Sequence, residues 1–97
     1  MIAHLVLFKW KAGVAADDPR VGALVQRMDA LPGKIPAIKA WEHGRNLTTD
    51  AEAWDYGLRA TFVTEADLHA YFDHPAHLPV VEQCLAIADL AFADFVI

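Results

Sequence analysis

The 97-residue chain is 56% hydrophobic and only 22% charged, with a net charge of −5 and eight scattered Lys and Arg, which excludes a phosphate-binding surface and nucleic acid as a partner. So much apolar material exceeds what one small domain hides, and an oligomer is expected. No apolar run reaches the ~20 residues that span a bilayer, Met1-Ile2-Ala3-His4 leads straight into a strand pattern with no basic n-region or cleavage site, and a lone Cys84 forbids an intrachain disulfide, so no membrane and a cytoplasmic setting are expected.

Ile2 to Trp10 reads as a strand apolar on both alternating sets, with His4, Val6, Phe8 and Trp10 on one face and Ala3, Leu5, Leu7 and Lys9 on the other. Such a strand is covered on both sides. Asp17-Asp18-Pro19 then reads as an N-cap with proline opening a helix, and Val21, Leu24, Val25, Met28 and Leu31 recur at helical spacing until Pro32-Gly33 stops it at Leu31. Ile38 to Arg45 alternates as a second strand, and a polar connection over 46–53 leads to a third, Asp55 to Phe62. This third strand places Tyr56, Leu58, Ala60 and Phe62 on one face and Gly57, Arg59 and Thr61 on the other. Thr64 caps a short helix reaching Asp73, with Asp67 at its third position and Leu68, Tyr71 and Phe72 as its apolar side. Leu78 to Ala88 is a further helix carrying Leu78, Val81, Leu85 and Ala88, and Leu90 to Ile97 is a last strand.

Between the last two helices runs Tyr71-Phe72-Asp73-His74-Pro75-Ala76-His77. Pro75 has no N–H and disfavours helical geometry at His74, so one helix stops here and another starts at the proline. Two imidazoles and a phenol at a rigid corner are groups that move protons near neutral pH. In the plainer reading Tyr71 is a core-edge residue and both histidines cap helix ends. His74 and His77 have the spacing of an i, i+3 metal pair, but the intervening proline spoils the shared face and no ligand set completes it, so no metal is expected. His43 and His69 read as solvated surface residues, and Arg59 with Glu42 as an ion pair on neighbouring strands. Cys84, in an apolar helical stretch, reads as an inert buried thiol.

One domain, 1–97, with strands separated by helices, matches the split βαβ pattern of an α+β ferredoxin-like sandwich: a four-stranded antiparallel sheet with helices on one face. Its other face is bare. A homodimer through that open sheet face, closing into a barrel with Leu5 and Leu7 at the interface, is the simplest cover.

The chain also resembles a known family, the dimeric α/β-barrel or stress-responsive A/B barrel (Dabb) domains. The resemblance rests on His4-Leu5-Val6-Leu7-Phe8-Lys9-Trp10-Lys11, Leu31-Pro32-Gly33-Lys34-Ile35-Pro36, Gly44-Arg45-Asn46, Thr61-Phe62, the run from Tyr71 to His77, and Asp94-Phe95-Val96. It implies the same ferredoxin-like homodimer. Most members look like small proteins without an assigned reaction. One plant type, olivetolic acid cyclase, closes a linear poly-β-keto chain by intramolecular aldol condensation without metal or cofactor. In that type a tyrosine of the penultimate helix and the second histidine of the H-P-A-H run carry the chemistry, matching Tyr71 and His77, and a further pocket histidine matches His4. Where the cyclase has a histidine on its third strand this chain has Tyr56.

The expected site therefore has His77 as base and Tyr71 as hydrogen-bond donor to an enolate oxygen. His4 polarises the same oxygen, orients Tyr71, or is a half-buried histidine satisfied by a backbone carbonyl. Tyr56 is expected to be a wall residue with its hydroxyl at the cavity mouth, and Phe8, Trp10, Phe62 and Leu68 supply apolar lining. The ligand would be a small aromatic or keto compound, with no cofactor. Two functions of different class follow: a cofactor-independent cyclase, lyase or isomerase, or a non-catalytic stress or ligand-binding dimer.

Overall fold

The computed structural model describes all 97 residues. In chain order it holds β1 (Ile2–Trp10), α1 (Pro19–Lys34), β2 (Ala40–Arg45), β3 (Tyr56–Phe62), α2 (Glu65–Phe72), α3 (Leu78–Ile87) and β4 (Ala88–Val96). The strands form one antiparallel sheet in the order β2-β3-β1-β4, the ferredoxin-like arrangement that the alternation of strands and helices predicts. The helices pack on one face of it. There Phe8 of β1, Leu58, Ala60 and Phe62 of β3, and Val21, Leu24, Met28 and Leu31 of α1 form the core with Leu68, Tyr71, Val80, Cys84 and Ile87. The alternation of β3 is as read, with all four of its helix-facing residues buried.

Two helix starts follow from capping chemistry. The Asp18 carboxylate accepts from the Arg20 N–H at 2.9 Å with Pro19 in the first turn, and Thr64 Oγ1 accepts from the Asp67 N–H at 3.1 Å. The end of α1 differs from expectation, because the helix runs past Leu31 through Pro32 and Gly33 to Lys34. A proline in the last turn withdraws a single donor, and the Ile35 N–H still closes on the Leu31 carbonyl at 2.9 Å. β3 starts one residue late, because the Asp55 N–H donates to the Phe8 carbonyl at 2.8 Å while its carboxylate accepts from the Trp10 N–H at 2.8 Å.

The corner is wider than the proline suggests. α2 ends at Phe72 and α3 starts only at Leu78, so Pro75 lies inside a connecting turn and Pro79 is the proline of the α3 first turn. His74 builds that turn: its Nδ1 accepts from the Ala76 N–H at 3.0 Å, and its carbonyl accepts from the N–H groups of His77 and Leu78. The expected phase of α3 is also corrected. Val80, Cys84 and Ile87 face the core, whereas Leu78 and Leu85 are about half exposed. Apolar residues cover most of this helix's circumference, with exposed Glu82 the one charged residue, so period alone marks the inward side only weakly. β4 follows without a loop, from Ala88.

On the sheet face away from the helices, Leu7 is exposed beside half-buried Leu5, and Arg59 reaches Glu42 across β3 and β2 at 3.3 Å. No helix is long and apolar enough to cross a membrane.

Candidate functional site

A cavity of about 320 Å³ lies between the sheet and the helices. The strand register arranges its walls as levels. His4 of β1 stands level with Ala60 of β3 and Asp94 of β4, and Ala60 in turn with Trp41 of β2. Val6 is level with Leu58 and Phe92, and Phe8 with Leu90. The cavity is lined by His4, Val6 and Phe8 along one strand, a span of about 13 Å at ~3.3 Å per residue. Its polar groups collect at the His4 end, with Tyr71 of α2 and His77 at the start of α3. The remaining walls, including Met28, Leu58 and Leu90, are apolar. Phe92 and Leu78, 68% and 51% exposed, mark the mouth.

The rings of Tyr71 and His77 stack with centroids 4.1 Å apart, and His4 stands edge-on to Tyr71 at 5.8 Å. His77 Nδ1 lies 3.1 Å from the Phe72 carbonyl oxygen. A carbonyl only accepts, so Nδ1 carries the proton and the neutral ring keeps its lone pair on Nε2. Burial favours that neutral form and pushes the His77 pKa below the usual histidine value; the Phe72 bond opposes the shift, and charge on His4 and His74 adds to it. The Tyr71 hydroxyl, held far above the usual phenol range by burial and then by the Cys84 thiol, stays protonated, with no hydrogen bond of the chain among the causes of that shift. It is a free donor. His77 occupies the N-cap position of α3 without a side-chain bond to that helix, but its bond to the Phe72 carbonyl caps the end of α2, as the plainer reading has it, while His74 builds the connecting turn.

His4 is buried and hydrogen-bonded through Nδ1 to the Asp94 carboxylate, not to a backbone carbonyl. A carboxylate behind an imidazole fixes its orientation and places the proton on Nδ1, which leaves Nε2 as the free nitrogen. Asp94 and Trp41 are the residues that sequence reasoning missed as parts of this end. Trp41 lines the cavity edge-on to Tyr71 at 6.2 Å, and its buried indole N–H has no partner in the chain. The alternation of β2 put Trp41 on a face; only the register shows that this level is the His4 level.

Of the expected lining, Phe8 is present and four residues, Trp10, Tyr56, Phe62 and Leu68, are not; Trp10 is half-buried beside Phe8 and Tyr56. Phe62 and Leu68 are core residues, Phe62 packing behind Tyr71 with ring centroids 5.0 Å apart. Tyr56 pairs with Phe8 and Arg45, at the far end of the sheet from His4 and away from the mouth. Its hydroxyl is 2.6 Å from His43 Nδ1, and His43 Nε2 is 2.7 Å from Asp29 Oδ1. The carboxylate accepts the Nε2–H, so Nδ1 accepts the phenol proton. This overturns the surface reading of His43, whose side chain is only 8% exposed: it ties α1 to β2 and β3. His69 is exposed and 3.4 Å from Glu65, as expected. Burial raises the Cys84 thiol to about 11, which keeps it protonated and unreactive.

No group of three or more His, Cys, Asp and Glu is placed to hold a metal ion. The model of the stress responsive A/B barrel domain, Dabb, matches residues 2–97. An uncharacterized protein of Streptomyces coelicolor is 40% identical over 96 residues, 98% of each chain. The crystal structure of a dimeric ferredoxin-like protein of unknown function from Thermobifida fusca superposes with a TM-score of 0.87 at 28% identity, over 99% of this chain and 90% of that one. The hydroxynitrile lyase of Passiflora edulis shares the fold, with a TM-score of 0.86 over 99% of this chain and 92% of its own, at 18% identity. A single-domain match of that extent, together with a relative that close over its full length, makes this chain a member of the Dabb family of stress responsive A/B barrel domains.

Proposed function

We propose that this protein is a homodimeric, cofactor-independent acid–base enzyme that enolises a small, neutral carbonyl compound with an apolar tail. The observation that carries this reading is the stacked Tyr71–His77 pair, with His4 beside it, at one end of an otherwise apolar cavity. No Lys or Arg lines the cavity, so a charged carboxylate or phosphate finds no counter-ion there. The volume holds about 10 to 20 non-hydrogen atoms at protein packing density. In this reading the keto head lies against His77 and the tail points toward Phe8 and Leu90.

In this reading His77 Nε2 takes a proton from a carbon flanked by two carbonyls, an acid weak by only a few units relative to imidazole. Charge develops on the carbonyl oxygen, where the Tyr71 hydroxyl donates, with His4, oriented by Asp94, beside it. The enolate carbon adds to a second carbonyl of the same molecule, forming a carbon–carbon bond, and the new alkoxide takes up, through Tyr71, the proton that His77 Nε2 removed, so both side chains return to their starting state. Apolar walls keep water away from the charged intermediate.

The test is solvent deuterium exchange at the activated carbon of alkyl-tailed β-keto esters, followed by NMR alongside the histidine ring resonances, in wild type and Tyr71→Phe. Exchange above background that falls in the variant, with His77 shifting on ligand addition, supports the enzyme. Ligand shifts without exchange assign the cavity to a non-catalytic binding dimer. Insensitivity of His77 to both ligand and variant removes the site altogether.

A further inference from the structure

Gly44 of β2 and Gly57 of β3 face each other as a register pair one residue inside the end of β2 and the start of β3, on the face away from the helices. Neither has a positive φ, and the β2–β3 register runs through them without a bulge. A Cβ on Gly44 would meet nothing within 4 Å, and one on Gly57 would meet only the tip of Leu7, at 3.8 Å. Nothing inside the chain requires either glycine. Mid-strand glycine weakens a strand, and where there is no bend it marks a place where another chain or ligand comes close.

The glycine pair is part of a groove of about 420 Å³ walled by Leu7, Leu47 and Trp54. The groove sits where β2 ends and β3 begins. Phe95 lies on the same sheet face, paired with Ala3, with Ile97 just beyond it; they are 45% and 53% exposed. β2 and β4 are opposite edges of the sheet and run in opposite directions, so groove and knobs occupy diagonally opposite corners of one face.

Strands of a closed barrel tilt about 35–45° from its axis, so strands on opposite walls cross at about 70–90°. A two-fold axis along the other sheet diagonal, the one that passes through neither corner, then carries the knob corner of one copy onto the groove corner of the other. We propose that Phe95 of one copy, with Ile97 beside it, seats in the Gly44–Gly57 groove of a second copy, the contact repeating by symmetry. This rests on the homodimer through the open face, and it goes beyond it by naming the key and the lock. It also reaches the cavity, because the residue before Phe95 is Asp94, whose carboxylate orients His4. A free edge strand frays, and a partner that grips Phe95 holds Asp94 on His4.

The test is interchain disulfide formation in the intact protein carrying Gly44→Cys and Phe95→Cys, the native Cys84 being buried. The expected result is a covalent dimer under mild oxidation in the double variant and in neither single variant. Self-linking of Phe95→Cys alone, no linking while sedimentation shows a dimer, or a monomeric wild type each overturns the proposal. Gly44→Leu fills the groove without a clash inside the chain, so its circular dichroism stays native while its dimer dissociation constant rises about 100-fold. An unchanged constant also overturns it. None of these readouts depends on the enzyme reading.

Discussion

The His77 ring lies on Tyr71 at 4.1 Å between centroids, with its Nδ1 turned back to the Phe72 carbonyl. One helix end thus fixes the tautomer of the imidazole and the other supplies the phenol beside it. Both side chains are held by backbone and packing, so their geometry does not depend on a ligand.

Tyr71→Phe removes a hydroxyl that has no hydrogen bond in the chain among the causes of its raised pKa. Thermal stability should stay within about 0.5 kcal/mol of wild type. Exchange activity should fall about 100-fold, the typical loss of one oxyanion donor. Equal exchange in variant and wild type would assign Tyr71 to the wall alone.

His77 contributes a pH dependence of stability. Its folded pKa lies below the unfolded value of about 6.5, so the unfolded chain binds more protons between the two values. Stability from this group is fully present above about pH 6.5 and is lost as pH falls toward the folded pKa. Melting temperatures of wild type and His77→Gln measured from pH 7.5 to 5 should converge on the acid side. Parallel curves would show that His77 is not the group responsible.

Asp94→Asn replaces the carboxylate at His4 Nδ1 by an amide, which loosens the hold on the ring's tautomer and orientation. Ring nitrogen shifts of His4 should report the change, and exchange should drop about 10-fold. Nitrogen shifts identical to wild type would show that Asp94 does not set the state of His4.

Tyr56→Phe should lower stability by about 1–2 kcal/mol by leaving the buried His43 Nδ1 without its donor. Ligand shifts at His77 should not change, because Tyr56 lies outside the cavity. Reduced ligand response with unaltered stability would instead put Tyr56 at the site.

Lengthening the tail of a β-keto ester probe should strengthen binding by about 0.8 kcal/mol per methylene until the apolar length of the cavity is filled. Titrations across a homologous series should therefore plateau. Affinity independent of tail length would exclude the Phe8–Leu90 end as the tail site.

The sequence by itself determined the element order, the sheet class and the family motifs, because period-two strands, capping residues and proline are local signals. Thr64 with Asp67 and the alternation of β3 needed no tertiary knowledge. Tyr71, His77 and His4 were legible as candidates through their motif and strand face.

What only the tertiary structure decided is which residues stand at one level. Asp94 reaches His4 from 90 residues away, and Trp41 joins that level through strand register, which single-strand periodicity does not contain. Tyr56 and His43 read as mouth and surface residues because their partner, Asp29, comes from a helix packed across them. The inward side of α3 was hidden for a related reason: Leu78, Val81 and Leu85 are as apolar as Val80, Cys84 and Ile87. With Glu82 the one charged residue to mark its outer side, α3 is phased by the turn that delivers it, here the His74 carbonyl bonds, and by the sheet it lands on.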